Sequence, residues 1–285
     1  MGLTTGVRYM LLSALGFALM AACVKSAATR GIPVLEIVAF RAIVSLALSY
    51  LDIKRKRLSV WGNNKPLLIA RGTVGALALM CVFYAVSTLP LAEATVLQYT
   101  YPAFTALIAL WFLKERIQFA TLLCIGMSIA GVIAMMQPNL RDGIIIDASA
   151  LSIAAALLGA LGSAVAYVIV RHLSRTEDSS VIIFYFPLIA FPLSVVLLHD
   201  NFVIPNLEAL ALLILVGIFT QIGQIGLTKA MAVEKAGKAA AYAYVQVVFS
   251  AILGWALFAE VPTLWTAIGG LFIISGALIN TFYKR

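Results

Sequence analysis

Long uncharged stretches recur along the chain, each about as long as a bilayer crossing. Bounded by charges or turn residues, they cover about 7–26, 33–51, 67–88, 92–113, 118–137, 147–170, 179–198, 208–229, 237–258 and 262–282. About twenty residues rising roughly 1.5 Å each span a hydrocarbon core, so each stretch predicts a membrane helix. Most connectors are short; the longest polar one, 52–66, carries the run Lys54-Arg55-Lys56-Arg57 and reads as a solvated anchor at the membrane surface. The pattern also repeats once. At an offset of 145 residues Ala94, Tyr99, Phe104, Glu115 and Gly131 meet Ala239, Tyr244, Phe249, Glu260 and Gly276.

Composition agrees with a bilayer. With 63% hydrophobic and 11% charged residues, 285 residues have too little polar surface to wrap a water-soluble globule. Cys23, Cys81 and Cys124 all fall in apolar runs, where a thiol packs as a small hydrophobe, and they suggest no redox or metal chemistry. The first run ends Met20-Ala21-Ala22-Cys23 but continues without a polar cleavage region, so it reads as a retained helix.

The net charge of +8 raises the question of nucleic acid, and its placement answers it. With ten spans both termini share one side. The loops on that side carry most of the Lys and Arg, among them Arg8, Lys65, Arg71, Lys114, Arg171 and Lys235. The positive-inside rule then predicts cytoplasmic termini, and the basic balance reports topology rather than a nucleic-acid partner. A five-span unit used twice must be upside down in its second copy. The expected fold is therefore an all-α integral membrane protein, ten transmembrane helices arranged as two inverted five-helix repeats, 1–140 and 141–285, around a central cavity.

Polar side chains are costly in lipid, so those sharing a helix face should point into the bundle. In the eighth span Gly217, Gln221, Gln224 and Thr228 recur at helical spacing; the fourth carries Gln98 and Tyr101, the ninth Tyr242 and Gln246, the sixth Ser163 and Tyr167, and the third Tyr84. Tyr84, Gln98, Tyr101, Ser163, Tyr167, Gln221, Gln224, Tyr242 and Gln246 are the candidate substrate contacts. Aromatic faces and amides with few fixed charges suit a small neutral, zwitterionic or partly apolar solute. Interhelical hydrogen bonding is the competing role for each of them. Arg41, a charge inside the second span, is a candidate anchor or substrate contact; Pro102 is a candidate hinge in mid-span, and Glu115 and Glu260 end equivalent spans as candidate gating residues.

The chain resembles the drug/metabolite transporter superfamily, in particular its EamA-type members. The resemblance rests on Phe40-Arg41, on Leu89-Pro90-Leu91-Ala92-Glu93-Ala94 leading into Tyr101-Pro102-Ala103-Phe104, on Leu113-Lys114-Glu115-Arg116, on Gly126 to Gly131, and on Phe258-Ala259-Glu260 followed by Gly269 to Gly276. It implies a cavity formed by the first, third, fourth, sixth, eighth and ninth helices. It also implies alternating-access movement of small metabolites, often amino acids and related compounds, frequently outward. The second copy departs from the pattern with Val247 where the first has Pro102.

The expectation is thus a secondary transporter exporting a small metabolite from a bacterial inner membrane, without a cofactor or metal. Its partners are the solute and the bilayer, with a coupling ion or counter-substrate and the oligomeric state left open. A membrane-embedded transferase is the alternative reading, as is a non-transporting scaffold. His172 and His199 fall on opposite faces of the membrane and no HExxH, paired-carboxylate or P-loop pattern occurs, which disfavours the enzyme.

Overall fold

Among the described residues ten helical rods follow one another: α1 (Thr5–Ala28), α2 (Val34–Arg55), α3 (Lys65–Thr88), α4 (Tyr101–Phe112), α5 (Phe119–Arg141), α6 (Ala150–Leu173), α7 (Ser179–Leu198), α8 (Leu207–Val233), α9 (Ala236–Phe258) and α10 (Leu264–Phe282). The computed structural model describes residues 4–88, 97–141, 150–199, 202–259, 261 and 263–282, without the side chains of 86, 87 and 136–141. Eight of the rods are long and apolar enough to cross a membrane, and α4 and α5 contain shorter apolar helices. Among the described residues every regular element is a helix, and the long apolar rods are those of a membrane protein.

Local chemistry sets where several rods begin. Thr4 accepts a hydrogen bond from the Val7 N–H at the start of α1, Asp178 from Ser180 at α7, and Asn206 from Ala209 at α8, each satisfying a donor that the first helical turn leaves open. Residue 102 sits differently from expectation. The chain turns at Tyr99–Thr100, and Pro102 falls in the first turn of α4, where its missing N–H breaks no helical bond. The break thus precedes the proline instead of being made by it in mid-helix. At the corresponding place α9 passes through a 3-10 turn at Tyr242–Tyr244 with no proline nearby.

The two segments also end alike. Lys114 and Ala259, 145 residues apart, both adopt left-handed backbone, with φ of 52° and 54°. That conformation usually falls to glycine because it crowds a Cβ. At the first of them the Glu115 N–H turns back to the Ala109 carbonyl, 3.2 Å away, closing the helix end.

The rods pack in matched pairs: α1 lies along α8 and α3 along α6, α8 also touches α2 and α3 also touches α7, and α4 meets α6 as α9 meets α1. α2 packs on α7, and α5 on α10. Close approach in the first two pairs depends on glycine. A Cβ at Gly226 would lie 2.6 Å from the Tyr9 carbonyl oxygen, and one at Gly159 would lie 2.8 Å from Val82 Cγ2. Small residues let backbones meet where no water is available to drive association.

The connector 52–66 is more ordered than an anchor requires. α2 runs on through Arg55, and the Glu177 carboxylate accepts from the Asn63 and Asn64 N–H groups at 2.7 Å each. Lys56 bridges Asp52 and Asp178, and the Tyr185 phenol donates to the Trp61 carbonyl. These backbone donors find their acceptors on the α6–α7 corner, and the connector folds onto it.

Candidate functional site

A tyrosine cluster occupies the interior where α4, α6 and α9 meet. Tyr101 meets Tyr167 edge to face at 5.3 Å between centroids, and Tyr99 stacks on Tyr244 at 5.8 Å. The Tyr244 phenol donates to the Tyr99 carbonyl at 2.6 Å. That carbonyl sits at the chain break before α4, where a helix would otherwise have used it. Gln98, immediately before, has a buried Oε1 with no hydrogen-bond partner.

Near enough to Tyr167 to act on it electrostatically lies a feature that the sequence hid. Arg71, counted among the loop charges, is 3% exposed. It stands six residues past Lys65 on α3, about 9 Å along the helix, and its Nη2 donates to Gln224 Oε1 at 3.3 Å. Its guanidinium lies 5.0 Å from the centre of the Phe186 ring, and that of Arg41 lies 5.5 Å from the same ring. Among the described residues Arg41 otherwise donates only to Met20 Sδ, at 3.8 Å. The interior is therefore not poor in fixed charge, as the polar stripes alone suggest; two cations converge on one aromatic ring. Sequence gave Arg41 away by its place inside an apolar run, whereas Arg71 follows a basic connector too closely to stand out.

The remaining candidates divide by what they touch. Gln221 is satisfied at both ends across the α2–α8 seam, its Oε1 accepting from Ser45 at 2.6 Å and its Nε2 donating to Ser49 at 2.9 Å. Tyr242 packs in the same buried cluster as Tyr101, but its phenol shares a hydrogen bond with Thr281 of α10 at 3.0 Å. Ser163 donates to the Gly159 carbonyl of its own helix. Gln246 is half-buried on α9, and Tyr84 is 42% exposed near the far end of α3.

Glu115 closes the end of the bundle that carries the chain's N-terminus. It accepts from Arg171 Nε at 2.8 Å and from the Ala236 N–H at 2.8 Å, with Arg175 3.7 Å away. Arg171 in turn donates to the Met231 and Ala232 carbonyls, satisfying the open end of α8. One carboxylate and one guanidinium so tie together α4, α6, α8 and α9. Glu260, its counterpart by position, and the motif residues 89–94 lie outside the described residues.

At the opposite end a cavity of about 180 Å³ opens between α1 and α9, lined by Ala18, Ala22, Lys25, Ser250, Gly254 and Phe258. Glu36 is also near that end; it is fully buried, and its Oε2 accepts from the Val203 N–H at 3.0 Å. Among the described residues no group of His, Cys, Asp and Glu is arranged to hold a metal ion.

Comparison with known proteins places this geometry. The model of the EamA-like transporter family matches residues 4–137 and again 150–282. The chain is 34% identical to the Pseudopaline exporter CntI of Pseudomonas aeruginosa, over 99% of this chain and 98% of that one. It is 32% identical to Solute carrier family 35 member G1 of Homo sapiens, over 98% of this chain and 80% of the relative. An S-adenosylmethionine uptake transporter of Rickettsia bellii is 25% identical over 78% of the chain and 75% of its own length. A crystal structure sharing 20% identity superposes with a TM-score of 0.86 over 98% of this chain and 97% of that one, which shows a common fold. The chain belongs to the EamA-like transporter family and is an integral membrane transporter of small molecules, not an enzyme.

Proposed function

We propose that the chain is an alternating-access carrier that passes a small amino-acid-like metabolite outward across a bacterial inner membrane, with both termini cytoplasmic. Two inverted five-helix halves, 1–140 and 141–285, would rock about a site near the tyrosine cluster. The matched packing of α1 on α8 and α3 on α6 supports this division, as do the left-handed residues Lys114 and Ala259. The Glu115–Arg171 tie serves as the closed gate on the cytoplasmic side, while the cavity between α1 and α9 is the approach from outside.

The observation that carries the reading is the interior position of Gln98. Its buried, unpartnered oxygen stands next to the cluster formed by Tyr99, Tyr101 and Tyr167, at a break in the helix. Broken helices at mid-membrane line the sites of many carriers, because the freed backbone groups can bind a solute. Gln98, Tyr101, Tyr167 and Gln224 are the contacts this reading favours. Gln221 and Tyr242, engaged elsewhere, hold helices together. Outward direction follows the more similar relative, an exporter, over the less similar uptake transporter.

The test is flux in liposomes carrying the purified protein and a panel of radiolabelled amino acids and their derivatives. Accumulation of an intact compound, saturable and absent from empty liposomes, is expected. No flux of any member in either direction would sink the reading.

A further inference from the structure

Inside a bilayer an arginine without an acidic partner is costly, and such residues are rare and mark substrate or ion paths. This chain buries Arg71 and holds Arg41 beside it, yet among the described residues neither forms an ion pair. Their partners are neutral: Gln224 Oε1, Met20 Sδ and the shared Phe186 ring. Arg71 Nε is buried with no hydrogen-bond partner at all. The contrast with Arg171 is informative, since that guanidinium is matched by the Glu115 carboxylate and two backbone carbonyls. Glu36, the acid nearest to Arg41 along α2, accepts from Val203 through one oxygen and keeps the other buried without a partner, so it forms no ion pair with either arginine.

The space for Arg71 is also built in. A Cβ at Gly75 would lie 2.7 Å from Arg71 Nη1 and 3.0 Å from Phe186 Cδ2, so the backbone of α3 is kept bare where the guanidinium rests on the ring. Two like charges held at one aromatic ring repel each other, and the cost rises as water is excluded. An oxyanion on Arg71 would relieve that repulsion and complete its open donors, in the forked geometry that guanidinium offers to planar acids.

We propose that Arg71, supported by Arg41, seats an anionic oxygen group of the transported solute, a carboxylate or a phosphate, with the rest of the solute against Tyr101 and Tyr167. The substrate class is then an organic anion or a zwitterion held by its acid end. This rests on the carrier reading above and narrows it, because a neutral solute leaves both cations uncompensated.

The experiment uses the full-length protein in detergent at constant chloride concentration. Binding of glutarate, inorganic phosphate and the uncharged glutaramide is measured by calorimetry, for the wild type and for Arg71→Gln, Arg71→Lys and Gly75→Ala. Glutarate or phosphate should bind saturably, and the better of the two names the group. Glutaramide should bind at least about tenfold more weakly, the scale of a lost charge-assisted hydrogen bond. Arg71→Gln should lose a similar factor while its ligand-free melting temperature stays level or rises, since a buried unpaired cation has been removed. Arg71→Lys should retain part of the affinity. Gly75→Ala keeps both charges but displaces the guanidinium, so it should weaken anion binding and gives a reading even if Arg71→Gln does not fold.

Failure of both anions to bind more tightly than glutaramide overturns the proposal. So does unchanged binding in Arg71→Gln or, in its place, Gly75→Ala. A folded Arg71→Gln variant that melts much lower without ligand shows a structural arginine and also overturns it. Arg71-dependent binding without flux in liposomes would remove the carrier reading and leave the anion site standing. Equal flux of glutarate and glutaramide would remove the anion site and leave the carrier.

Discussion

Tyr244 stacks on Tyr99 and donates its phenol to the Tyr99 carbonyl at 2.6 Å. These two residues stand at the same place in the two copies of the sequence pattern, 145 positions apart, so the repeat meets itself at the chain break before α4. The contact joins α9 to the start of α4 through one ring pair and one hydrogen bond. Tyr244→Phe keeps the ring and should lower stability by about 1 kcal/mol, the net worth of a hydrogen bond. Tyr244→Ala empties a fully buried site and should cost about 3–5 kcal/mol. Melting of both variants in detergent checks this, and equal losses would mean that the ring contributes nothing.

The orientation of the chain can be read with single cysteines in a background lacking Cys23, Cys81 and Cys124. Ser59 and Thr29 are both exposed and lie at opposite ends of the bundle. In intact cells an impermeant thiol reagent should label Thr29→Cys and spare Ser59→Cys. The reverse labelling would place the termini outside.

Glu115 and Arg171 are both largely buried, with side chains 10% and 13% exposed, so removing one leaves the other uncompensated. Glu115→Ala and Arg171→Ala should each lower the melting temperature, and the double variant should be little worse than either. A coupling of about 1–3 kcal/mol is expected for groups in direct contact. Strictly additive losses would show that the two act separately and would remove the proposed gate.

At the α6–α7 corner, burial would raise the Asp178 carboxyl, but the Ser180 N–H, the Lys56 ammonium and the Ser180 hydroxyl together hold it below the usual carboxylate range. Burial would likewise lower Lys56, and Asp52 and Asp178 outweigh it and raise it. The Asp178 contribution is therefore complete above its unfolded value of about 3.9 and is lost as pH falls through the lower folded value. The Lys56 contribution is complete below its unfolded value of about 10.4 and is lost as pH rises through the higher folded value. Asp178→Asn keeps a good helix cap and removes the charge. Its melting temperature should fall less steeply than that of the wild type below about pH 4. Parallel pH profiles would show that the pair is screened out.

The rods were legible because a bilayer demands long uncharged runs, and those runs are printed in the sequence. What the interior does with its polar groups was less so. Gln221 and Gln224 belong to one stripe by spacing, yet the stripe lies on a seam: Gln221 turns to Ser45 and Ser49 on α2, and Gln224 meets Arg71 of α3. Arg71 itself reads as the tail of a basic connector. Only the packing of Phe186 and Gln224 around it makes it interior, and such contacts between distant segments leave no local mark. Pro102 announced a break in the fourth span, while the matching turn in α9 forms without a proline and was invisible.

A solute that passes beside Gln98, as proposed, makes flux depend on that amide, and two glutamine variants separate this dependence from helix packing. Counterflow of the solute found in the panel is measured in liposomes with wild type, Gln98→Leu and Gln221→Leu, with the amount of folded protein measured in each. Leucine is readily accommodated in a membrane helix, so Gln98→Leu should fold normally and lose most of its flux. Gln221→Leu leaves Ser45 and Ser49 without their amide and should melt lower, while each folded molecule still transports. Wild-type flux and affinity in Gln98→Leu would mean that the solute does not pass this amide.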